Sequence, residues 1–294
     1  MSDDGLRLMS VHAHADDETI TMGGTLALCA DRGIATCNIT CTDGKLATIF
    51  DPTMDEEETR PRLAEIRQAE LREAARILGV SEVHFLGYGD SGMAGSDTNR
   101  APDAFWTASL DEVAGKLVEH IRRFRPHVVV TYDANGAYGH PDHIQAHRAT
   151  LLAVEAAHTA IYPERGAPWL VRKLYYTAFP VSAMRNMIAN AKRLGIDPPF
   201  GTEDPDELPF LTPDHLVTTT VDVRAAITRK REALRAHRSQ IPPDWPMLAV
   251  PEEIAREFGD EYFQLVISRR PITAPETDMF ADVGDELPLP VSAS

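Results

Sequence analysis

Leu6-Arg7-Leu8-Met9-Ser10-Val11 runs directly into His12-Ala13-His14-Ala15-Asp16-Asp17-Glu18, and Gly23-Gly24-Thr25-Leu26-Ala27-Leu28 follows soon after. The first six residues are an apolar run of strand length, the last six read as the start of a helix, and the residues between form a strand-to-helix turn. Open α/β sheets bind ligands at the carboxyl ends of their strands, so polar side chains packed into this turn stand where chemistry is usually done. Imidazoles and carboxylates in one short loop suit a zinc-like divalent ion, and His14 and Asp17, three residues apart, are able to converge on it. A catalytic zinc takes three protein ligands and keeps one position open, so a third ligand has to come from elsewhere in the chain.

Outward from this stretch the same pattern recurs. Gly33 is expected to end the first helix, residues 34–41 read as a second strand, and Thr42-Asp43-Gly44-Lys45 is its exit loop. Residues 50–61 are acidic, contain Pro52 and read as irregular. Pro61 opens a helix with Leu63, Ile66, Ala74, Ile77 and Leu78 on one face and Gly79 at its end. Residues 83–86 form a third strand that leads into Gly87-Tyr88-Gly89-Asp90-Ser91-Gly92, where the glycines allow close approach of a ligand. Ser109-Leu110-Asp111-Glu112 has the form of a capping box, and the helix behind it is closed by Pro126. His127-Val128-Val129-Val130-Thr131-Tyr132 is a branched apolar run suited to a parallel strand covered on both faces, and its exit loop carries Tyr138, His140, Asp142 and His143.

Four strand–helix alternations predict an α/β fold, a doubly wound, mostly parallel, Rossmann-like sheet with helices on both faces. Beyond residue 160 the pattern loosens into a strand at 173–178, a helix at 181–194, a strand at 216–223 and a charged helix at 225–237, after which Pro242, Pro243, Pro246 and Pro251 interrupt the chain. The expected organisation is a catalytic core over residues 1–160, a smaller C-terminal cap portion over 161–270 that shapes the substrate site and completes the same domain, and a loosely held acidic tail over 271–294.

The chain of 294 residues carries 29 basic and 45 acidic side chains, a net charge of −16 that repels phosphate backbones and anionic lipid. Nucleic acid and membranes are therefore not the expected partners. No stretch approaches the roughly 20 apolar residues of a membrane span, and Met1-Ser2-Asp3-Asp4 lacks the basic start of a secretory signal, so a cytoplasmic location is expected. Cys29, Cys37 and Cys41 have no zinc-knuckle or redox spacing and are expected to be buried, reduced thiols. Whether the chain forms a homo-oligomer is left open by its sequence.

The missing ligand is expected from the second histidine-rich loop, because exit loops of one parallel sheet converge in space. His14-Ala15-Asp16-Asp17-Glu18 after one strand and His140-Pro141-Asp142-His143 after a later one resemble the PIG-L/LmbE family of metal-dependent N-acetylglucosaminyl deacetylases, in particular its mycothiol-pathway deacetylase and mycothiol-conjugate amidase branch. Thr40-Cys41-Thr42, the loop Asp90-Ser91-Gly92-Met93-Ala94-Gly95, the run from Arg125 through Asp133 and His237-Arg238-Ser239-Gln240 extend the likeness over most of residues 6–240. The resemblance implies zinc, with ferrous iron as the alternative, held by His14, Asp17 and His143. It makes Asp16 the general base, His140 the group that stabilises the oxyanion or protonates the leaving amine, Tyr138 a helper at the tetrahedral centre, and Asp142 the partner that orients and raises His140. Lys45, Arg67, Asp90 and Ser91 are expected against the substrate, an amino sugar conjugate. Relatives have proline at the position of Ala15, and a glutamate that contacts the sugar where Lys45 stands, so a different pocket charge is expected here.

Three other readings compete with deacetylation of an N-acetylglucosamine-type conjugate. An amidase acting on a thiol-sugar conjugate would use the same residues. A glycosidase with Asp16 and Asp17 as its carboxylate pair leaves the clustered histidines unexplained. A non-catalytic carbohydrate-binding module has no need of Asp16 or His140.

Overall fold

The computed structural model describes residue 3 and residues 5–283. Five strands, β1 (Arg7–His12), β2 (Ala35–Thr42), β3 (Glu82–Tyr88), β4 (Val128–Thr131) and β5 (Lys173–Ala178), are parallel, and β6 (Thr219–Asp222) and β7 (Asp260–Ser268) are antiparallel additions. They form one sheet in the order β3-β2-β1-β4-β5-β7-β6. Met9 pairs with Cys37 on one side and Val129 on the other, so β1 lies at the centre of the parallel portion. Alternation at period two sends Met9, Val11 and Val129 into one apolar layer and Leu8, Val128 and Val130 into the other, both covered by helices. The strand order reverses between β1 and β4, and that switch point brings their exit loops side by side.

The first helix, α1 (Asp17–Asp31), has a non-helical residue, Met22, at φ −145° and ψ 19°, just before the Gly23-Gly24 pair. The Gly24 and Thr25 amides freed there donate to the Glu261 carboxylate of β7 at 2.8 and 2.7 Å, and Lys230 Nζ joins Glu261 at 2.6 Å and the Ile20 carbonyl at 3.0 Å. Gly24 is obligatory, because a Cβ there would lie 2.5 Å from the Val223 side chain.

Several expectations are corrected. Residues 50–61 are not wholly irregular: Glu56–Thr59 is a helical turn whose first amides are satisfied by Asp55, which accepts from Glu58 N. No capping box forms at Ser109, whose side chain makes no cap bond; its carbonyl accepts Val113 N instead. β7 lies beyond the prolines, where no strand was expected, and it enters the sheet between β5 and β6. The segment after residue 270 is not loosely held through residue 283. Glu276 is buried against Lys173 Nζ at 2.5 Å, Tyr175 Oη at 2.9 Å and Thr219 Oγ1 at 3.1 Å, and Met279, Phe280 and Val283 pack into the core beside them. Residues 284–294 of the expected tail lie outside the described residues. All three cysteines are buried and free, and among the described residues no helix is long and apolar enough to cross a membrane.

Removing one member of a buried pair strands the other charge away from water. Glu276→Ala is therefore expected to lower unfolding stability by about 3–5 kcal/mol in urea titration, and a Lys173→Met/Glu276→Leu double variant to lose much less.

Candidate active site

The loops after β1 and β4 place His14 and His143 in contact although 129 residues separate them: His14 Nδ1 lies 3.1 Å from His143 Nε2. Asp17 Oδ2 lies 3.5 Å from the first nitrogen and 3.6 Å from the second. Three donors bonded tetrahedrally to one zinc ion at ordinary lengths stand about 3.3–3.5 Å apart, so this triangle has the dimensions of a metal site. Asp17 Oδ2 is fixed by the His14 amide at 2.9 Å and the Tyr132 hydroxyl at 2.6 Å. Tyr132 also stacks on His143, centroids 4.2 Å apart, a support that strand patterning alone does not reveal. Gly136 in the second loop carries φ 58°, and a Cβ on it would lie 2.6 Å from that of His143, so glycine lets this loop close onto the site. His14, His140 and His143 also lie close enough together to hold an ion, as do His14, Asp90, His140 and Asp142.

Behind His14 stand two more carboxylates. Asp142 Oδ2 is 3.3 Å and Asp90 Oδ1 3.8 Å from His14 Nε2. A proton on Nε2 shared with Asp142 leaves the Nδ1 lone pair free for a metal, the usual arrangement behind a ligating histidine. Burial opposes a charge on His14, but Asp142, Asp17 and Asp90 together raise it well above its ordinary pKa. The carboxylates around His14 thus favour positive charge at its ring.

Asp142 serves both histidines. Its carboxylate takes His14, the Ser91 amide at 2.9 Å and the Ser91 hydroxyl, whereas its backbone amide donates to His140 Nδ1 at 3.2 Å. His140 is thereby held with its remaining proton on Nε2. Burial and the charge of His14 press its pKa down to about 4, although Asp142 pulls it upward as expected. Ser91 is fully buried behind Asp142. Asp90 spends its oxygens on the Gly92 and Leu46 amides at 2.8 and 3.2 Å as well as facing His14.

Asp16 stands outside this donor triangle. Its Oδ1 lies 3.2 Å from Arg67 Nη2, which also donates to the Ala15 carbonyl at 2.7 Å, while Arg67 Nη1 donates to the Gly44 carbonyl at 3.0 Å. Arg67 is thus a buried clamp on two loops, and Gly44 is required beside it because a Cβ would lie 2.4 Å from the guanidinium. Burial, aided by the charge of Asp17, raises the Asp16 carboxyl to about 6 against the pull of Arg67, His237 and His14. Glu18 and His237, fully buried beside it, are held respectively below and above their ordinary pKa values; burial opposes both charges and their contact at 3.4 Å outweighs it. Tyr138 stands at the mouth, 39% exposed, its ring 5.1 Å from that of His143.

The PIG-L family model, GlcNAc-PI de-N-acetylase, matches residues 9–154, the stretch that holds both histidine loops. The 1D-myo-inositol 2-acetamido-2-deoxy-alpha-D-glucopyranoside deacetylase 1 of Catenulispora acidiphila is 45% identical over 289 residues, covering 95% of this chain and 90% of its own. The chain belongs to the PIG-L family. A deacetylase of the same description from Geodermatophilus obscurus is 44% identical over 285 residues, covering 94% of this chain and 97% of its own. The PIG-L fold is also seen in the N,N'-diacetylchitobiose deacetylase of Pyrococcus horikoshii, at TM-score 0.62 and 23% identity over 90% of this chain and 84% of that one. Lys45, expected to bring a cation to the substrate in this PIG-L chain, has its ammonium on Asp103 at 2.9 Å and near Asp43 at 3.6 Å.

Proposed function

We propose that this protein is a metal-dependent N-deacetylase that removes the acetyl group from the amine of an N-acetylglucosamine-type conjugate, with an inositol glycoside as the first substrate to test. The observation that carries the reading is the division of labour between adjacent carboxylates. Asp17 closes a donor triangle with His14 and His143, while Asp16, next to it, faces Arg67 and stays out of that triangle. The deacetylase names of the 45% and 44% identical relatives support it.

His14, Asp17 and His143 hold the ion, with zinc the best match to two imidazoles and one carboxylate. When bound, it supplies a Lewis acid that polarises the amide carbonyl and acidifies water. Asp16 takes the proton of the attacking water: a carboxyl near 6 is ionised at neutral pH yet more basic than an ordinary aspartate. His140 stays neutral and presents Nε2–H, a donor suited to the developing oxyanion. Because His140 is held neutral, the proton that the leaving amine needs comes from Asp16, which has just taken one from water. Tyr138, whose ring lies 5.1 Å from that of His143, adds a second hydrogen bond at the reacting carbon's oxygen on this reading.

The test combines elemental analysis of the purified protein with acetate release over N-acetylglucosamine conjugates. About one divalent ion per chain and release of acetate from an N-acetylglucosaminyl inositol are expected. A fully metal-loaded protein that frees acetate from none of them would refute the reading.

Lys45 contributes little on this account, because exposed ion pairs are worth only about 0–1 kcal/mol and its charge is already matched by Asp103. Lys45→Met is expected to leave kcat/KM within about 3-fold on every conjugate. A larger change confined to some sugars would place Lys45 against the substrate.

A further inference from the structure

Asp16 has φ 129° and ψ −31°, a backbone conformation that residues with a Cβ rarely adopt. The peptide that leads into it is clamped at both ends. The Ala15 carbonyl accepts from Arg67 at 2.7 Å, and the Asp16 amide donates to Glu18 Oε2 at 3.2 Å. The other Glu18 oxygen accepts the Thr19 hydroxyl at 2.5 Å and faces His237 Nε2 at 3.4 Å, and that nitrogen also lies 3.1 Å from Thr19 Oγ1. His237 comes from the far end of the chain, just past the helix Ile227–Ala236. Its segment is anchored in turn: the Ser239 amide and hydroxyl donate to Glu70 at 2.8 and 2.6 Å, and the Phe50 amide donates to the Ser239 carbonyl at 2.8 Å.

Glu18, Thr19 and His237 are all buried, and none belongs to the donor triangle. A carboxylate and an imidazole removed from water cost more than apolar side chains of the same size would, so packing alone does not account for them. What they supply that an apolar pair cannot is an acceptor for the part-buried amide of the residue whose carboxylate has to be aimed.

We propose that Glu18 and His237 are positioning residues for Asp16. Glu18 holds the Asp16 amide and so keeps the base in its strained conformation, and His237, with Thr19, fixes the Glu18 carboxylate in the orientation that reaches it. The proposal rests on Asp16 being the base, and it predicts an effect on kcat transmitted entirely through that residue.

The experiment compares Glu18→Leu, Glu18→Gln and each of them combined with Asp16→Asn in the metal-loaded protein. Glu18→Leu is expected to lower kcat by roughly 30–100-fold with KM and metal content unchanged, while Glu18→Gln, which keeps an acceptor oxygen, stays within about 5-fold of the parent. In the Asp16→Asn background, Glu18→Leu is expected to cost less than about 3-fold, because residues acting as a unit are not additive. Losses that multiply, a shift in KM alone, or a Glu18→Gln variant as damaged as Glu18→Leu would overturn the proposal. If Glu18→Leu does not fold, Thr19→Val loosens the same carboxylate with a smaller change and is held to the same pattern of kcat loss absorbed by Asp16→Asn. Crystal structures of the parent and variants give a readout free of turnover: φ of Asp16 stays positive in Glu18→Gln and returns to a negative value once the acceptor is gone. An unchanged Asp16 backbone without the acceptor also overturns the proposal. A parent protein that deacetylates nothing overturns the functional reading instead, and leaves this structural test standing.

Discussion

Asp16→Asn is expected to retain its metal and bind substrate normally while kcat falls by roughly 10² to 10⁴, the range of general-base effects. The reason lies in the different surroundings of two adjacent carboxylates. Asp17 Oδ2 lies within 3.6 Å of His14 Nδ1 and His143 Nε2, whereas Asp16 Oδ1 is on Arg67. An amide at position 16 preserves size and the contact with Arg67 but cannot accept a proton. The same variant should change the pH profile. A base works when ionised, so activity of the parent falls as the pH drops through the Asp16 pKa, which burial sets at about 6 in the protein and a bound cation draws lower. Asp16→Asn should lose this acidic limb from kcat/KM. Near-native turnover with intact metal would remove Asp16 as the base, and loss of the metal would make it a ligand.

The second large effect is on the metal itself. His14→Ala, Asp17→Ala and His143→Ala should each weaken binding by more than about 100-fold, since even removal of a group behind a ligand costs about 10–100-fold. Asp142→Asn, which alters only the partner of His14, should fall in that milder range. His140→Ala separates the donor sets that the cluster allows: His140 stands near His14 and His143, but its Nδ1 accepts the Asp142 amide and its Nε2 bears the proton. It should keep the ion and lose turnover. Isothermal titration of the metal-free variants measures this directly, and a chain that loses its ion with His140→Ala yet keeps it with Asp17→Ala would have His140 in place of Asp17 as the third ligand.

Local pattern was enough to read the alternating strands and helices of the first 160 residues, the placement of both histidine loops at strand ends, and the three buried thiols, because each depends on periodicity, turn residues or burial tendency within a few positions. Remote partners are not legible in this way. The resemblance pairs Asp142 with His140, two residues away, and the structure adds that at the start of the helix Pro141–Ala157 its carboxylate points across to His14 in another loop. Lys45 was given to the substrate, yet Asp103, from a loop 58 residues later, takes its charge. Arg67 and Ser91, expected against the substrate, are buried and also hold loops and carboxylates in place.

Periodicity and turn residues make legible an α/β sheet with two histidine-rich loops at its strand ends, and the motifs in those loops resemble the family to which the chain belongs. The folded chain alone makes β1 and β4 neighbours, inserts β7 between β5 and β6 and closes the core with Glu276. It also decided which way each buried polar group faces. The physical reason is range. Strand and helix periodicity arises from backbone geometry over a few residues, whereas a buried charge turns toward whatever partner spares it desolvation, and here those partners lie 51 to 219 residues away: Arg67 for Asp16, His14 for Asp142, and His237 for Glu18.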